Sequence, residues 1–169
     1  GQYNVAIGYA ALSSDQAGAF NVAVGSGALN AQDGGTNGVN FYNVAVGYNA
    51  GLSVTTGIKN TIVGGLAGDA LTIGNNNTAL GYAALSTSVD GDYNTAIGFA
   101  ALLVYEDGDG NGHNTAVGAN SQAAATTGEF NTSLGSLSMG VGVTTGNSNV
   151  AVGYQSGQAL TSGSENITI

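Results

Sequence analysis

The chain is almost free of basic side chains. Of its 169 residues only Lys59 is basic, against ten acids, and the formal net charge is −9. Nucleic acids and anionic membrane surfaces are bound through clusters of Lys and Arg, and one lysine cannot supply a cluster. The sequence also has no apolar run long enough to cross a bilayer. We therefore expect no nucleic-acid partner and no membrane insertion.

Cysteine is also absent, which excludes disulfides, zinc–thiolate sites and thiol catalysis. Histidine occurs once, as His113, so a nucleophile–base pair has almost no base to draw on. We expect no enzymatic activity and assign no catalytic residue. Large apolar side chains are few as well, with 4 Phe, 8 Tyr, 1 Met and no Trp. The 30 glycines cannot fill a conventional core, so the chain needs another way of burying surface.

A phrase of the form Asn-x-Ala-x-Gly returns along the whole chain. Its asparagines, taken as position 0, are separated by 17, 22, 17, 17, 17, 20, 17, 18 and 17 residues. A fixed period with insertions in a few places is the signature of a solenoid, in which each coil covers its neighbour. The ten asparagines are Asn4, Asn21, Asn43, Asn60, Asn77, Asn94, Asn114, Asn131, Asn149 and Asn166.

The columns of the repeat predict a short strand after each asparagine. Positions +1 and +3 carry Val, Thr, Ile or Leu, whereas +2 is mostly Ala, +4 is Gly and +7 is Ala or Ser. This alternation indicates an extended strand with a small-residue face. Glycine at +4, and at −3 in eight of ten copies, suggests backbone angles that suit the corners of a coil.

The resulting prediction is an all-β parallel solenoid of ten coils, forming one domain over residues 1–169. A 17-residue coil suits two short strands and two turns. Parallel coils rise by about 4.8 Å each, which gives a rod on the order of 45 Å long. We expect the asparagines, from Asn4 to Asn149 and into the last partial coil, to form a ladder of side-chain amides along the axis.

The phrase N-[VT]-A-[IVL]-G-x-x-A resembles the head repeat of trimeric autotransporter adhesins, the YadA-like parallel β-roll. The stretches "GNNNTALGYAAL" and "TTGNSNVAVGYQSGQAL" are also similar to repeats in tailed-phage fibre proteins. The resemblance covers essentially the whole chain. It implies a left-handed roll, a homotrimer, display on a cell or virion surface, and binding of a host protein or glycan. Head repeats of that family are usually a little shorter than 17 residues, and this chain shows no neck or stalk.

Two insertions interrupt the period, within residues 30–42 and 103–113. Both lie between +8 and the next asparagine, so we expect both to protrude from one edge of the rod. Solenoids often carry binding insertions on one face. Tolerated surface loops without a ligand are the alternative. The candidate receptor-binding residues in these loops are Asp33, Thr36, Asn37, Phe41, Tyr105 and His113.

The second insertion contains a partial calcium motif. Asp107, Asp109 and Asn111 have the 1, 3, 5 spacing of a calcium loop, and Gly112 stands at its sixth position. The twelfth position is Gly118 and supplies no carboxylate, although Glu106 is close enough in sequence to replace it. A Gly-rich turn with solvated carboxylates is the alternative. Calcium is the one cofactor that the sequence suggests.

Aromatic side chains gather at positions −1 and +5, and threonine gathers at +1. An exposed aromatic stripe would be a candidate carbohydrate or protein surface, whereas buried columns would pack between coils or subunits. Threonine ladders on a flat solenoid face can order water, as in ice-binding proteins, but a β-favouring half-buried position explains them too. The five threonines are Thr61, Thr78, Thr95, Thr115 and Thr132.

The functional prediction is a non-enzymatic segment of an extracellular fibre. It would hold a rigid rod away from a cell or virion and present side chains for adhesion. We expect a homotrimer or an end-to-end fibre, and a chain that begins at Gly1 and stops at "NITI" suggests an excerpt of something longer. An ice-binding solenoid and a purely structural spacer are the alternatives.

Overall fold

Every repeat contributes one strand to one parallel sheet. The computed structural model describes residues 1–35, 38–105, 111–142 and 144–169. Within them the strands follow one another in sequence order across a single sheet of ten strands. They are β1 Val5–Ile7, β2 Val22–Val24, β3 Val44–Val46, β4 Thr61–Val63, β5 Thr78–Leu80, β6 Thr95–Ile97, β7 Thr115–Val117, β8 Thr132–Leu134, β9 Val150–Val152 and β10 Ile167–Thr168.

The register of the sheet follows the repeat. Thr61 pairs with Thr78, and Thr78 pairs with Thr95, so each strand meets the same repeat position of its neighbours. The register holds across both insertions, where Val22 pairs with Val44 and Thr95 pairs with Thr115. An all-β parallel solenoid with a basic period of 17 residues is therefore confirmed. The described residues contain no helix.

Each coil has one strand, so the expectation of two strands per coil was wrong. The return half of the coil is held by turns and by single hydrogen bonds between coils. The N–H of Thr72 donates to the carbonyl of Val89 at 2.8 Å, and an isolated parallel bridge joins Ala125 to Thr144. Residues in the left-handed region at +6 and +8 interrupt the extended backbone, which prevents a second continuous strand.

The interior combines small residues at positions +2 and +7 with larger side chains, such as Leu85 and Leu102 at +8. Ala79 and Ala96 at +2, and Ala84 and Ala101 at +7, have no exposed surface. Ile62 is the one large residue at +2. A Cβ placed on Gly51 or Gly68 would lie 3.1 and 3.3 Å from its Cδ1. Glycine at +8 in these two coils therefore makes room for the larger side chain.

The two glycine columns exist for different reasons. Gly81 at +4 has a φ of +136° and lies against the next coil, so both backbone angle and space exclude a side chain there. Gly74 at −3 has no positive φ, but a Cβ there would lie 2.6 Å from the carbonyl oxygen of Gly91 in the next coil. Close stacking explains glycine at −3, and the expectation of a special backbone angle there was wrong.

Non-glycine residues in the left-handed region form three further columns that the sequence did not reveal. Every described case falls at −1, +6 or +8, with φ between 47° and 62°. Such a conformation costs roughly 1–2 kcal/mol for an ordinary residue. It directs the N–H toward the neighbouring coil: Ala83 donates to Gly65, Leu85 to Ala101 and Tyr93 to Asn75. Hydrogen bonds between coils offset the strain.

The asparagine column forms a continuous buried ladder. From Asn21 onward, the backbone N–H of each asparagine donates to the side-chain Oδ1 of the asparagine one coil earlier, at 2.8–3.1 Å in all nine steps. Side-chain bonds from one ladder asparagine to another are made by Asn21, Asn149 and Asn166. The expected column is confirmed, but it is mainly a side-chain-to-backbone ladder.

The side-chain nitrogen of each asparagine has a second task. Asn77 Nδ2 donates to the carbonyl of Gly91 at 2.7 Å, and Asn60 donates to Gly74 at 2.8 Å. The equivalent bond to position −3 is not made at Asn21 or Asn94, the two coils that carry the insertions. Asn94 Nδ2 is buried without a partner. The insertions therefore cost the ladder a donor bond.

Replacing Asn77 by Ala is expected to destabilise the chain more than replacing Asn94 by Ala. The first change leaves the Asn94 N–H and the Gly91 carbonyl without partners, which costs about 2–4 kcal/mol. The second leaves only the Asn114 N–H, at about 1–2 kcal/mol. Urea unfolding followed by circular dichroism measures both. Equal losses would show that the Nδ2 bond to position −3 adds nothing.

Candidate interaction surface

The outer side of the sheet is an uncharged surface of aliphatic, aromatic and hydroxyl side chains. Position +2 points inward, so +1 and +3 point outward, and +5 follows just past the strand end. None of the residues at +1, +3 or +5 is buried. We call these three columns the uncharged face. Its large exposed members include Tyr9, Tyr48, Leu80, Tyr82, Phe99, Leu134 and Tyr154, each between 46% and 85% exposed.

Charge is distributed away from this face. No residue at +1, +3 or +5 is charged in any coil. All ten acids lie between position +9 of one coil and position −1 of the next. In a chain with a net charge of −9, this leaves one surface on which a second acidic molecule can approach without like-charge repulsion.

The −1 column combines the two arrangements that the sequence left open. Its rings pack between coils through their faces, while their edges stay exposed. Tyr3, Phe20 and Tyr42 form one stack, with centroids 5.0 and 5.1 Å apart and planes within 13° of parallel. Tyr93, His113 and Phe130 form another, with spacings of 4.7 and 5.1 Å. Stacking of this kind adds roughly 0.5–1.5 kcal/mol per pair beyond burial.

Lys59 and Asn76 occupy the −1 positions between the two stacks. Both residues are in the left-handed conformation like the rest of the column, and Lys59 is exposed. The chain's one basic side chain thus stands in the same column as six stacked rings. Sequence reasoning recorded the aromatic column but missed Lys59, although the position is visible once the repeat is aligned.

Two of the predicted receptor-binding residues face the interior. Phe41 is 1% exposed and Tyr105 is fully buried, so neither side chain can meet a receptor, and this assignment was wrong. A Cβ on Gly18 would lie 2.8 Å from the Phe41 ring, and one on Gly91 would lie 2.9 Å from Tyr105. Each aromatic ring covers the −3 glycine of the preceding coil and anchors its insertion.

Of the other predicted loop residues, the structure describes Asp33 and His113, which belong to different insertions. Asp33 is half-buried and its Oδ1 accepts the N–H of Gly35 at 2.9 Å, which closes a local turn. His113 is exposed and belongs to the second aromatic stack. Thr36 and Asn37 lie outside the described residues. Binding by these residues stays a prediction.

The calcium prediction also falls largely outside the described residues. Glu106, Asp107 and Asp109 lie there, whereas Asn111 is exposed and its carbonyl accepts the Tyr105 hydroxyl at 2.7 Å. Over the part of the chain that the structure describes, no three His, Cys, Asp or Glu side chains are grouped to hold a metal.

A shallow groove of about 590 Å³ lies beside the first two coils. Gln2, Tyr3, Gln16, Phe20 and Asn40 are among its lining residues. Apart from Tyr3 and the N-terminal amine, its lining has no titratable group, so the groove offers no acid–base pair. Among the described residues, no helix is long and apolar enough to span a membrane.

Comparison with models of known protein families, with curated proteins and with solved structures found no match. The resemblance to adhesin heads and phage fibres therefore stands on the repeat phrase alone.

The adjacent residues Phe41 and Tyr42 allow a comparison between a buried ring that anchors the first insertion and a half-exposed ring of the −1 column. Replacing Phe41 by Ala is expected to cost about 3–5 kcal/mol, because it empties a fully enclosed ring site. Replacing Tyr42 by Ala removes one stacked, half-exposed ring and is expected to cost about 1 kcal/mol. Thermal unfolding by calorimetry compares the two. Equal costs would contradict the inward anchoring of the first insertion.

Proposed function

We propose that this chain is a non-enzymatic, rod-forming segment of an extracellular fibre, displayed on a cell or a virion. The observation that carries the proposal is the uncharged face, which runs the length of a chain with net charge −9. A freely soluble monomer gains nothing from such a surface. An assembly of parallel rods buries it.

The fold supports a mechanical role. Ten strands are linked by parallel ladders, and the asparagine ladder repeats at every step, so each coil is fixed to the next by backbone and side-chain bonds. Nine steps of about 4.8 Å give a rod roughly 45 Å long. Such a unit is suited to hold an attachment surface at a set distance.

The dimensions of the uncharged face support association with further copies of the chain. Positions +1 to +5 are four residue steps apart and span roughly 14 Å, and over a rod of roughly 45 Å this gives an area of about 600 Å². A stable interface buries about 800 Å² per partner. The face is therefore large enough to carry most of a homo-oligomeric contact. A homotrimer is the assembly that the resemblance to adhesin heads implies.

Adhesion is the second half of the proposal. With the uncharged face used for assembly, the −1 column and the two insertions remain outside it and are available to a host protein or glycan. The −1 column supports this role because its rings have exposed edges and because it contains the chain's one basic side chain.

Replacing Leu80 by Asp tests the assembly. Leu80 is 46% exposed on the uncharged face, and Ile73 is 52% exposed outside it, so Ile73→Asp is a matched control. We expect an oligomer for the parent chain and for Ile73→Asp, and a monomer for Leu80→Asp, because a buried unpaired carboxylate is costly. Sedimentation velocity with light scattering measures the mass.

Three results would contradict this part of the proposal. These results are a monomeric parent chain at micromolar concentration, equal dissociation of the two variants, and a Leu80→Asp variant that remains assembled. Circular dichroism of each variant reports whether the solenoid itself is intact.

Ice binding is a second candidate function, favoured by one observation. Thr61, Thr78, Thr95, Thr115 and Thr132 lie in register on five consecutive strands of the outer face. Their partners at +3 are aliphatic, so the face has one threonine column and not two. If this column orders water, the chain is a monomer that shows thermal hysteresis, and Thr95→Lys abolishes it. Absence of hysteresis removes this candidate.

A further inference from the structure

We propose that Tyr42, Lys59, Asn76 and Tyr93 form a binding site for a carbohydrate chain that carries carboxylate groups. The proposal deepens the adhesive role proposed above and rests on it. It names the class of ligand that the −1 column recognises, and it assigns the attachment surface to the middle of the rod.

The geometry begins with two ring faces that no neighbouring ring covers. Tyr42 stacks on Phe20 with its plane 8° from parallel, so its other face points along the axis toward the coil of Lys59. Tyr93 stacks on His113 at 6°, so its free face points back toward the coil of Asn76. The two free faces look toward each other along one exposed column, and both rings are about half exposed.

The space between the rings has a defined length. Tyr42, Lys59, Asn76 and Tyr93 are successive −1 residues, each 17 positions apart. Three steps of about 4.8 Å place the two rings about 14 Å apart. The two positions between the rings carry an exposed cation, Lys59, and a half-exposed amide, Asn76. A short oligosaccharide can occupy this interval with one sugar ring packed against each aromatic face.

The charge at this point selects the ligand. Lys59 is the chain's only Lys or Arg, and the acid beside the site, Asp92, has its carboxylate engaged by the N–H and the side-chain amide of Asn75. The rest of the molecule is acidic, so an anion meets a favourable local charge here and repulsion over most of the remaining surface. Asn76 adds a neutral donor and acceptor for hydroxyl groups.

Aromatic faces distinguish a sugar from an acidic peptide. The hydrogens on one side of a pyranose ring form an apolar surface that packs flat on a tyrosine ring, while the hydroxyl groups at its edge reach Asn76 and the carboxylate reaches Lys59. An acidic peptide satisfies the lysine but leaves the two opposed ring faces without matching surfaces. The combination of two rings, one cation and one amide therefore favours an acidic sugar.

Trigalacturonate is a suitable probe, with its fully methyl-esterified form as the uncharged control. We expect the parent chain to bind trigalacturonate by saturation-transfer NMR and calorimetric titration, and to bind the ester at least tenfold more weakly. Lys59→Gln, Tyr42→Ala and Tyr93→Ala are each expected to reduce affinity at least tenfold. Lys59→Arg retains most of the binding. Tyr154→Ala removes an exposed ring from the other aromatic column and leaves binding unchanged.

Several outcomes would overturn this site. These outcomes are a failure of trigalacturonate to bind, equal affinity for its methyl ester or for a tri-glutamate peptide, and an unchanged affinity for trigalacturonate in Lys59→Gln. Sedimentation of the same samples measures the oligomeric state, so a failure of the sugar site can be told from a failure of the fibre proposal. An intact oligomer that attaches to cells without binding trigalacturonate removes this site and leaves the fibre proposal standing.

Discussion

The buried asparagine ladder is the interaction on which the solenoid depends. One amide per coil accepts the backbone N–H of the next asparagine and donates to the carbonyl at position −3, so a single side chain fixes both the spacing and the angular register of two coils. A buried amide without partners is costly, and asparagine at this position makes both the accepting and the donating hydrogen bond. Glycine at −3 follows from this contact, because the coils approach closely there.

Much of this arrangement could be predicted from the repeat, because stacking gives identical positions identical surroundings. In one repeat, Asn77 marks the start of a strand, Ala79 its buried face and Gly81 the turn that follows it. The left-handed residues could not be predicted in the same way, since Tyr93 and Leu85 are ordinary residue types whose strained angles are offset only by bonds to the neighbouring coil. The insertions were also predicted wrongly at two positions. Phe41 and Tyr105 were expected to be exposed for binding, but both are buried and cover glycines.

The surface shows how a stacked repeat handles charge and hydrophobicity together. Identical residues recur about every 4.8 Å, so a charged column would repel itself along its whole length. The acids are accordingly scattered over the return half of the coil, and the strand side is left neutral. Lys59 is the exception as a basic residue, and it lies in the −1 column between the aromatic stack that ends at Tyr42 and the one that begins at Tyr93. The assembly and the attachment proposed above would therefore use different columns.

The single strand per coil has a consequence for tension applied along the rod. The hydrogen bonds between coils run nearly parallel to the axis, so a pulling force opens them one coil at a time and not all together. Each released coil frees 17 residues, which reach roughly 55–60 Å when extended, in place of about 4.8 Å in the folded state. A rod of this construction yields by stepwise lengthening. In the fibre role proposed above, an attached particle under flow would remain connected while the outer coils unwind and rewind.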